Sequence, residues 1–150
     1  EFMSAFSIRP VRAEPLIEVS KIYRSLEKPG AAYVFAKQAV ELPYPQNDIL
    51  FISEDVYSYG ALDEISATAY YAGHVLEGYN ATKKLLEDKL VPEAHVERVK
   101  KNFEQYQTVM QQVQAQQMQQ NMNQQIEKMK EKKEQKTQTT KYKKKKATSR

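Results

Sequence analysis

The stretch that decides the fold is residues 60–90, GALDEISATAYYAGHVLEGYNATKKLLEDKL. Leu62, Ile65, Ala69 and Tyr70 recur at helical spacing and draw one apolar stripe. Gly73 and His74 interrupt that stripe, and glycine suits the left-handed conformation that closes a helix. Tyr79, Leu85 and Leu86 resume it. The stretch therefore reads as two antiparallel helices joined by a tight turn. A single pair of this kind cannot bury its own stripe and needs similar neighbours.

Upstream, the pattern predicts a first helix over residues 13–27, with Leu16, Val19, Ile22, Tyr23 and Leu26 on its stripe. Lys28, Pro29 and Gly30 signal a turn. A second helix over 31–42 carries Tyr33, Ala36, Ala39 and Val40, and Pro43-Tyr44-Pro45 ends it. Ile49, Leu50, Phe51 and Ile52 have no partner strand nearby, so they read as an extended loop pinned to the helices by these side chains. Asp55 or Ser58 is expected to cap the third helix. Pro92 opens a fifth helix carrying Val96, Val99, Phe103 and Tyr106.

The pairs repeat. A shift of 46 residues lays Leu16 on Leu62, Val19 on Ile65, Ser20 on Ser66, Ala32 on Gly78, Tyr33 on Tyr79, Ala39 on Leu85 and Val40 on Leu86. A shift of 34 lays Leu62 on Val96, Ile65 on Val99 and Ala69 on Phe103. Thirty-four is the tetratricopeptide period, and 46 is that period with a 12-residue insertion supplied by the long loop. Leu replaces the usual Trp, and Ser20 and Ser66 replace the usual Gly, so the repeats are degenerate. The expected fold is all-α: tetratricopeptide-like antiparallel pairs forming a superhelix, a long C-terminal helix and a disordered basic tail. Four segments follow: a cloning remnant and lead-in at 1–9, a helical domain at 10–106, a Gln/Met-rich helical extension at 107–135 and a Lys-rich tail at 136–150.

Charge is divided unevenly along the 150 residues. Residues 127–150 hold eleven Lys or Arg against three Glu, and the remaining 126 carry a net −4. There is no Cys, hence no thiolate chemistry, and the expected location is cytoplasmic, with a nuclear alternative through the tail. No apolar run approaches the ~20 residues of a membrane span.

The motifs Arg12-Ala13-Glu14-Pro15-Leu16, Ala36-Lys37, Pro43-Tyr44-Pro45, Asp48-Ile49-Leu50-Phe51, Asp55-Val56-Tyr57-Ser58-Tyr59, Tyr70-Tyr71-Ala72-Gly73 and Glu77-Gly78-Tyr79 carry a resemblance. Over residues 6–103 the chain resembles the helical segment that follows the catalytic domain in some family 2 glycosyltransferases. In that family the chemistry sits in an upstream nucleotide-sugar domain, where an Asp-x-Asp motif holds a divalent cation. The sequence contains no Asp-x-Asp and no phosphate-cradling Gly loop. The resemblance therefore implies an origin beside a transferase, as an excised piece or a free-standing relative, and no sugar transfer by these residues. No catalytic residue, cofactor or metal is expected.

His74 and His95, the only histidines, lack partners at ligand spacing and read as surface or capping residues. Asp63-Glu64 and Glu54-Asp55 point in different directions on a helix and read as capping or solvated carboxylates. The Asn80-Ala81-Thr82 sequon lies inside a predicted helix and is discounted. In a tetratricopeptide-like array the first helix of each pair lines a concave face, which places Ile17, Lys21, Asp63, Glu64, Ala67, Arg98 and Lys101 in a partner groove. Ile17, Asp63 and Ala67 depart from the pattern that grips a peptide's terminal carboxylate. The expected function is a non-catalytic interaction or accessory module for a protein partner or the missing catalytic domain. The alternatives are a part of an active glycosyltransferase complex and a basic-tailed nucleic-acid or nuclear adaptor.

Thirteen Gln occur over residues 105–138. Met110 and Val113 extend the 3-4 spacing of the fifth helix, and Met118, Met122, Ile126 and Met129 continue it after a break in phase, which suits weak self-association. Lys141, Lys143, Lys144, Lys145 and Lys146 form a block whose charge suits phosphate or another anionic surface.

Overall fold

A computed structural model describes the backbone of residues 1–48 and 51–147 and the side chains of 1–48 and 51–133. The elements are α1 (Phe2–Ile8), α2 (Glu14–Ser25), α3 (Pro29–Val40), a π turn (Val56–Gly60) continuing into α4 (Ala61–Thr68), α5 (Val75–Glu87) and α6 (Glu93–Ala147). No strand occurs among the described residues. Two compact units divide the chain, residues 1–110 and residues 111–150.

In the first unit α1 packs on α2, α2 on α3, α3 on α4 and α4 on α5, with α4 also touching α2. Leu16, Ile17, Val19 and Ser20 of α2 are buried, as are Ala32, Tyr33, Ala36 and Ala39 of α3. The three alanines keep the α3 face flat, so neighbouring backbones approach closely. Leu85 and Val99 are fully buried where α5 meets α6, and Tyr79 stacks on Phe103 at 5.3 Å. Ile22, Leu26 and Val40, expected on apolar stripes, are exposed. α2 ends before Leu26, and Val40 lies at the last turn of α3.

Three helix ends close in one way. Lys28 N–H donates to Tyr23 O at 2.9 Å, His74 N–H to Ala69 O at 2.8 Å and Leu90 N–H to Leu85 O at 3.1 Å. The residue before each donor takes a left-handed φ: Glu27 at 56°, Gly73 at 81° and Lys89 at 52°. Gly73 thus ends its turn as its residue type predicts, whereas Glu27 and Lys89 adopt that conformation with a Cβ. α3 and α5 then begin 46 residues apart, at Pro29 and Val75.

The loop between α3 and the π turn is held by charge. Arg9 and Arg12 both pair with Asp48, and Arg12 also grips Glu14 at 2.8 Å and the Phe51 carbonyl. Glu14 accepts from the Ser53 N–H at 3.1 Å and the Tyr57 hydroxyl at 2.8 Å. Phe51 is 93% exposed, so it does not pin the loop as expected; Ile49 and Leu50 lie outside the described residues. Neither Asp55 nor Ser58 caps a helix: the Ser58 hydroxyl turns back to the Asp55 carbonyl, and the π turn runs without a break into α4.

α6 continues to Ala147, past residue 135 where the sequence pattern ends it, and its backbone takes in the Lys-rich run expected to be disordered. No Gly or Pro follows Pro92, and Gln and Lys are fair helix formers. Residues 148–150 of the tail, and the side chains of Lys141 to Lys146, lie outside the description.

Candidate functional site

α2, α4 and the first turns of α6 form one face of the first unit, and two adjoining clefts open on it. One, about 490 Å³, is bordered by Ile17, Glu18, Lys21, Asp63, Glu64 and Arg98, with Tyr59 and His95 at its margin. The other, about 500 Å³, is lined by Pro29, Ala67, Tyr70, Tyr71, Asn102 and Gln105. Arg24 and Arg98 contribute to both.

The bridge between these clefts is ionic. Arg24 of α2 grips Glu64 of α4 in two bonds, Nη2 to Oε1 at 2.8 Å and Nε to Oε2 at 3.1 Å. Arg98 of α6 grips Asp63 in two bonds, Nη2 to Oδ2 at 2.7 Å and Nη1 to Oδ1 at 3.1 Å. Paired bonds of this fork geometry fix orientation as well as distance. Neighbouring carboxylates on α4 therefore tie it to the helices on either side. Glu64 is almost fully buried, and the Ser20 hydroxyl donates to its Oε2 at 3.3 Å. The Glu64 hydrogen bond holds the Arg24 guanidinium's pKa above its ordinary value, against the opposing pull of burial.

Ser66 sits behind the second cleft. Its hydroxyl accepts from Thr82 Oγ1 at 2.9 Å and Asn102 Nδ2 at 3.2 Å. Its carbonyl accepts from the Tyr106 hydroxyl at 2.9 Å, which in turn accepts the Tyr70 N–H at 2.9 Å. Burial, foremost, pushes the Tyr106 phenol up to about 12. Asn102 and Tyr70 are thereby set in place, and Tyr71 beside them is 65% exposed.

Of the residues the sequence assigned to a groove, Ile17, Lys21, Asp63, Glu64 and Arg98 border the first cleft and Ala67 lines the second. Lys101 lines neither. Ile17 and Glu64 do not project into solvent: each is buried, Ile17 among the apolar core and Glu64 against Arg24. Asp63 and Glu64 are neither caps nor solvated carboxylates but the acceptors of two arginines. Sequence reasoning missed Arg24, Tyr70, Tyr71 and Asn102. Arg24 lies 40 residues from Glu64, and nothing in local spacing joins them.

His74 stacks on Tyr33 at 4.3 Å, and His95 borders the first cleft. Glu77 of α5 accepts from Tyr33 of α3 and pairs with Lys37 at 2.5 Å. Burial raises the Glu77 carboxyl, but those two donors outweigh it and hold its pKa below the usual carboxylate range. Among the described residues no three His, Cys, Asp or Glu side chains gather closely enough to hold a metal ion. No helix there is long and apolar enough to cross a membrane.

The chain matches no family model, and neither a curated protein nor a solved structure is significantly similar to it.

Proposed function

We propose that residues 1–110 form a non-catalytic protein-docking module whose ligand lies across the α2–α4–α6 face. The observation that carries this reading is the pair of adjoining clefts, each near 500 Å³, separated by the fixed Arg24–Glu64 and Arg98–Asp63 bridges. A face built that way is ordered before a ligand arrives, which lowers the entropic cost of binding. Tyr71 and Asn102 offer the aromatic surface and carboxamide that protein interfaces use.

The module is a pair of degenerate tetratricopeptide-like repeats completed by the start of α6. In support, α3 and α5 begin 46 residues apart, each after a left-handed residue, and Ser20 and Ser66 are both buried at matching places. The resemblance to the helical region of family 2 glycosyltransferases makes a transferase catalytic domain the first partner to test.

The test is capture of such a domain by the wild chain, by Tyr71→Ala with Lys21→Glu, and by Val34→Ala. Tyr71 and Lys21 border the clefts, while Val34 is 60% exposed on α3. Capture lost in the cleft variant and kept in Val34→Ala supports the face. Equal capture by all three removes it. Turnover of a nucleotide sugar by the purified chain alone overturns the non-catalytic reading.

A further inference from the structure

In the second unit α6 carries an apolar stripe on which the residues stand exposed: Met118 is 75% accessible, Met122 54%, Ile126 45% and Met129 58%. Ala115, also exposed, precedes them on the same face. The steps from Ala115 are 3, 4, 4 and 3, so Ala115 and Ile126, like Met118 and Met129, are 11 residues apart. An 11-residue period is close to the natural turn of a straight helix and keeps the stripe on one side with little supercoiling.

We propose that a second copy of this chain covers the stripe, running antiparallel with Met122 facing Met122. Two observations select that occupant and that direction. First, residues 105–126 contain no charged side chain, so this face offers nothing to attract a strongly charged partner and nothing to repel itself, apart from its Lys-rich end. Second, Lys128, Lys130, Lys132 and Lys133 outnumber Glu127 and Glu131 at that end, four against two, leaving it net positive. A parallel pair would lay these lysines side by side. The antiparallel pair sets Lys133 opposite Gln111, 22 residues from its own copy, or roughly 33 Å along the axis. That exceeds the ~8 Å screening length at physiological salt. The same register places Met118 against Ile126 and small Ala115 against large Met129, so five layers fill without two bulky residues meeting at the ends.

The contact spans Ala115 to Met129, roughly 21 Å of helix. It is short and Met-rich, so the association is weak. Sedimentation equilibrium of the full chain should then show the 17.4 kDa mass rising about twofold toward millimolar concentration. Met122→Glu with Ile126→Glu should abolish the rise, while Gln120→Glu with Gln124→Glu, the same charge on the opposite face, should not. Because the chain lacks cysteine, single replacements read the direction. Ala115→Cys mixed with Met129→Cys should crosslink, and Ala115→Cys alone should not. A mass that stays at 17.4 kDa to ~1 mM, or doubles equally in the Met122→Glu, Ile126→Glu chain, overturns the pairing. Efficient crosslinking of Ala115→Cys alone overturns the antiparallel direction.

Discussion

In the first helical pair, α2 and α3, Ala32 is fully buried and its carbonyl accepts the Ser20 hydroxyl at 2.8 Å. In the second, α4 and α5, the residue 46 positions on is Gly78, and the Tyr106 ring of α6 occupies the space a methyl group would need. Each is the fourth residue of its helix, but their neighbours differ. One admits Ala and the other only Gly, so the ring that α6 brings to the second site decides the residue. The turns show the same contrast, with Glu27 and Gly73 taking one left-handed conformation at different conformational cost.

The largest expected effect breaks the first contrast. Gly78→Ala puts a Cβ inside Tyr106, which cannot withdraw without giving up Ser66 and Tyr70, and should cost about 1–3 kcal/mol by urea unfolding. Ala32→Gly should cost less, about 1–2 kcal/mol, the loss of helix propensity plus one buried methyl. Equal costs for the two changes would remove the claim that α6 sets the difference.

Next are the two ionic bridges. Glu64 is buried and Asp63 less so, while their arginines are both near half exposed. Glu64→Ala should cost about 1–2 kcal/mol, discounted for the exposure of Arg24. Asp63→Ala should cost under about 1 kcal/mol and lose its effect in high salt. A salt-insensitive Asp63→Ala of the same size as Glu64→Ala would show that burial does not separate them.

The turns should respond in opposite directions. Gly73→Ala at φ 81° should destabilise by about 1 kcal/mol, and Glu27→Gly at φ 56° should stabilise by up to about that amount. Thermal unfolding of both variants measures the pair, and shifts of the same sign would contradict the shared closure.

The smallest effects near neutrality are proton-linked. Burial raises Tyr33, with help from Glu77, and also Tyr106, each to about 12. The folded state prefers both phenols neutral, so their contribution is complete below pH ~10 and fades as pH climbs toward about 12. On the acid side, burial raises Glu14 and Glu77, but their hydrogen-bond donors prevail and leave both lowered. The Arg9 hydrogen bond leads the lowering of Asp48. Those three contribute above pH ~4 and are lost progressively as pH falls through their depressed values. Denaturant midpoints from pH 3 to 11 should be flat in the middle and fall at both ends.

Much of the architecture was legible because helix stripes, proline starts and glycine stops are local. Leu16, Ile65, Leu85 and Val99 are buried as their spacing demands. The turn at Gly73 closes as its residue type demands. Periodicity brings Lys21, Asp63 and Arg98 to one face but cannot tell that Ile17 and Glu64 are covered. The segment after α3 was legible as a loop rather than a strand, but not what holds it: Phe51 is exposed, and Arg12 reaches Asp48 across 36 residues, a reach no local pattern records.

The sequence alone determined where the chain turns, which residues are apolar enough to hide, and that charge divides between residues 1–126 and 127–150. The tertiary structure decided which polar groups are shared between helices: Glu64 with Arg24 and Ser20, Ser66 with Thr82, Asn102 and Tyr106. Helical periodicity follows from the backbone's own geometry, one residue after the next. A hydrogen bond between distant side chains exists only after folding has brought them within about 3 Å.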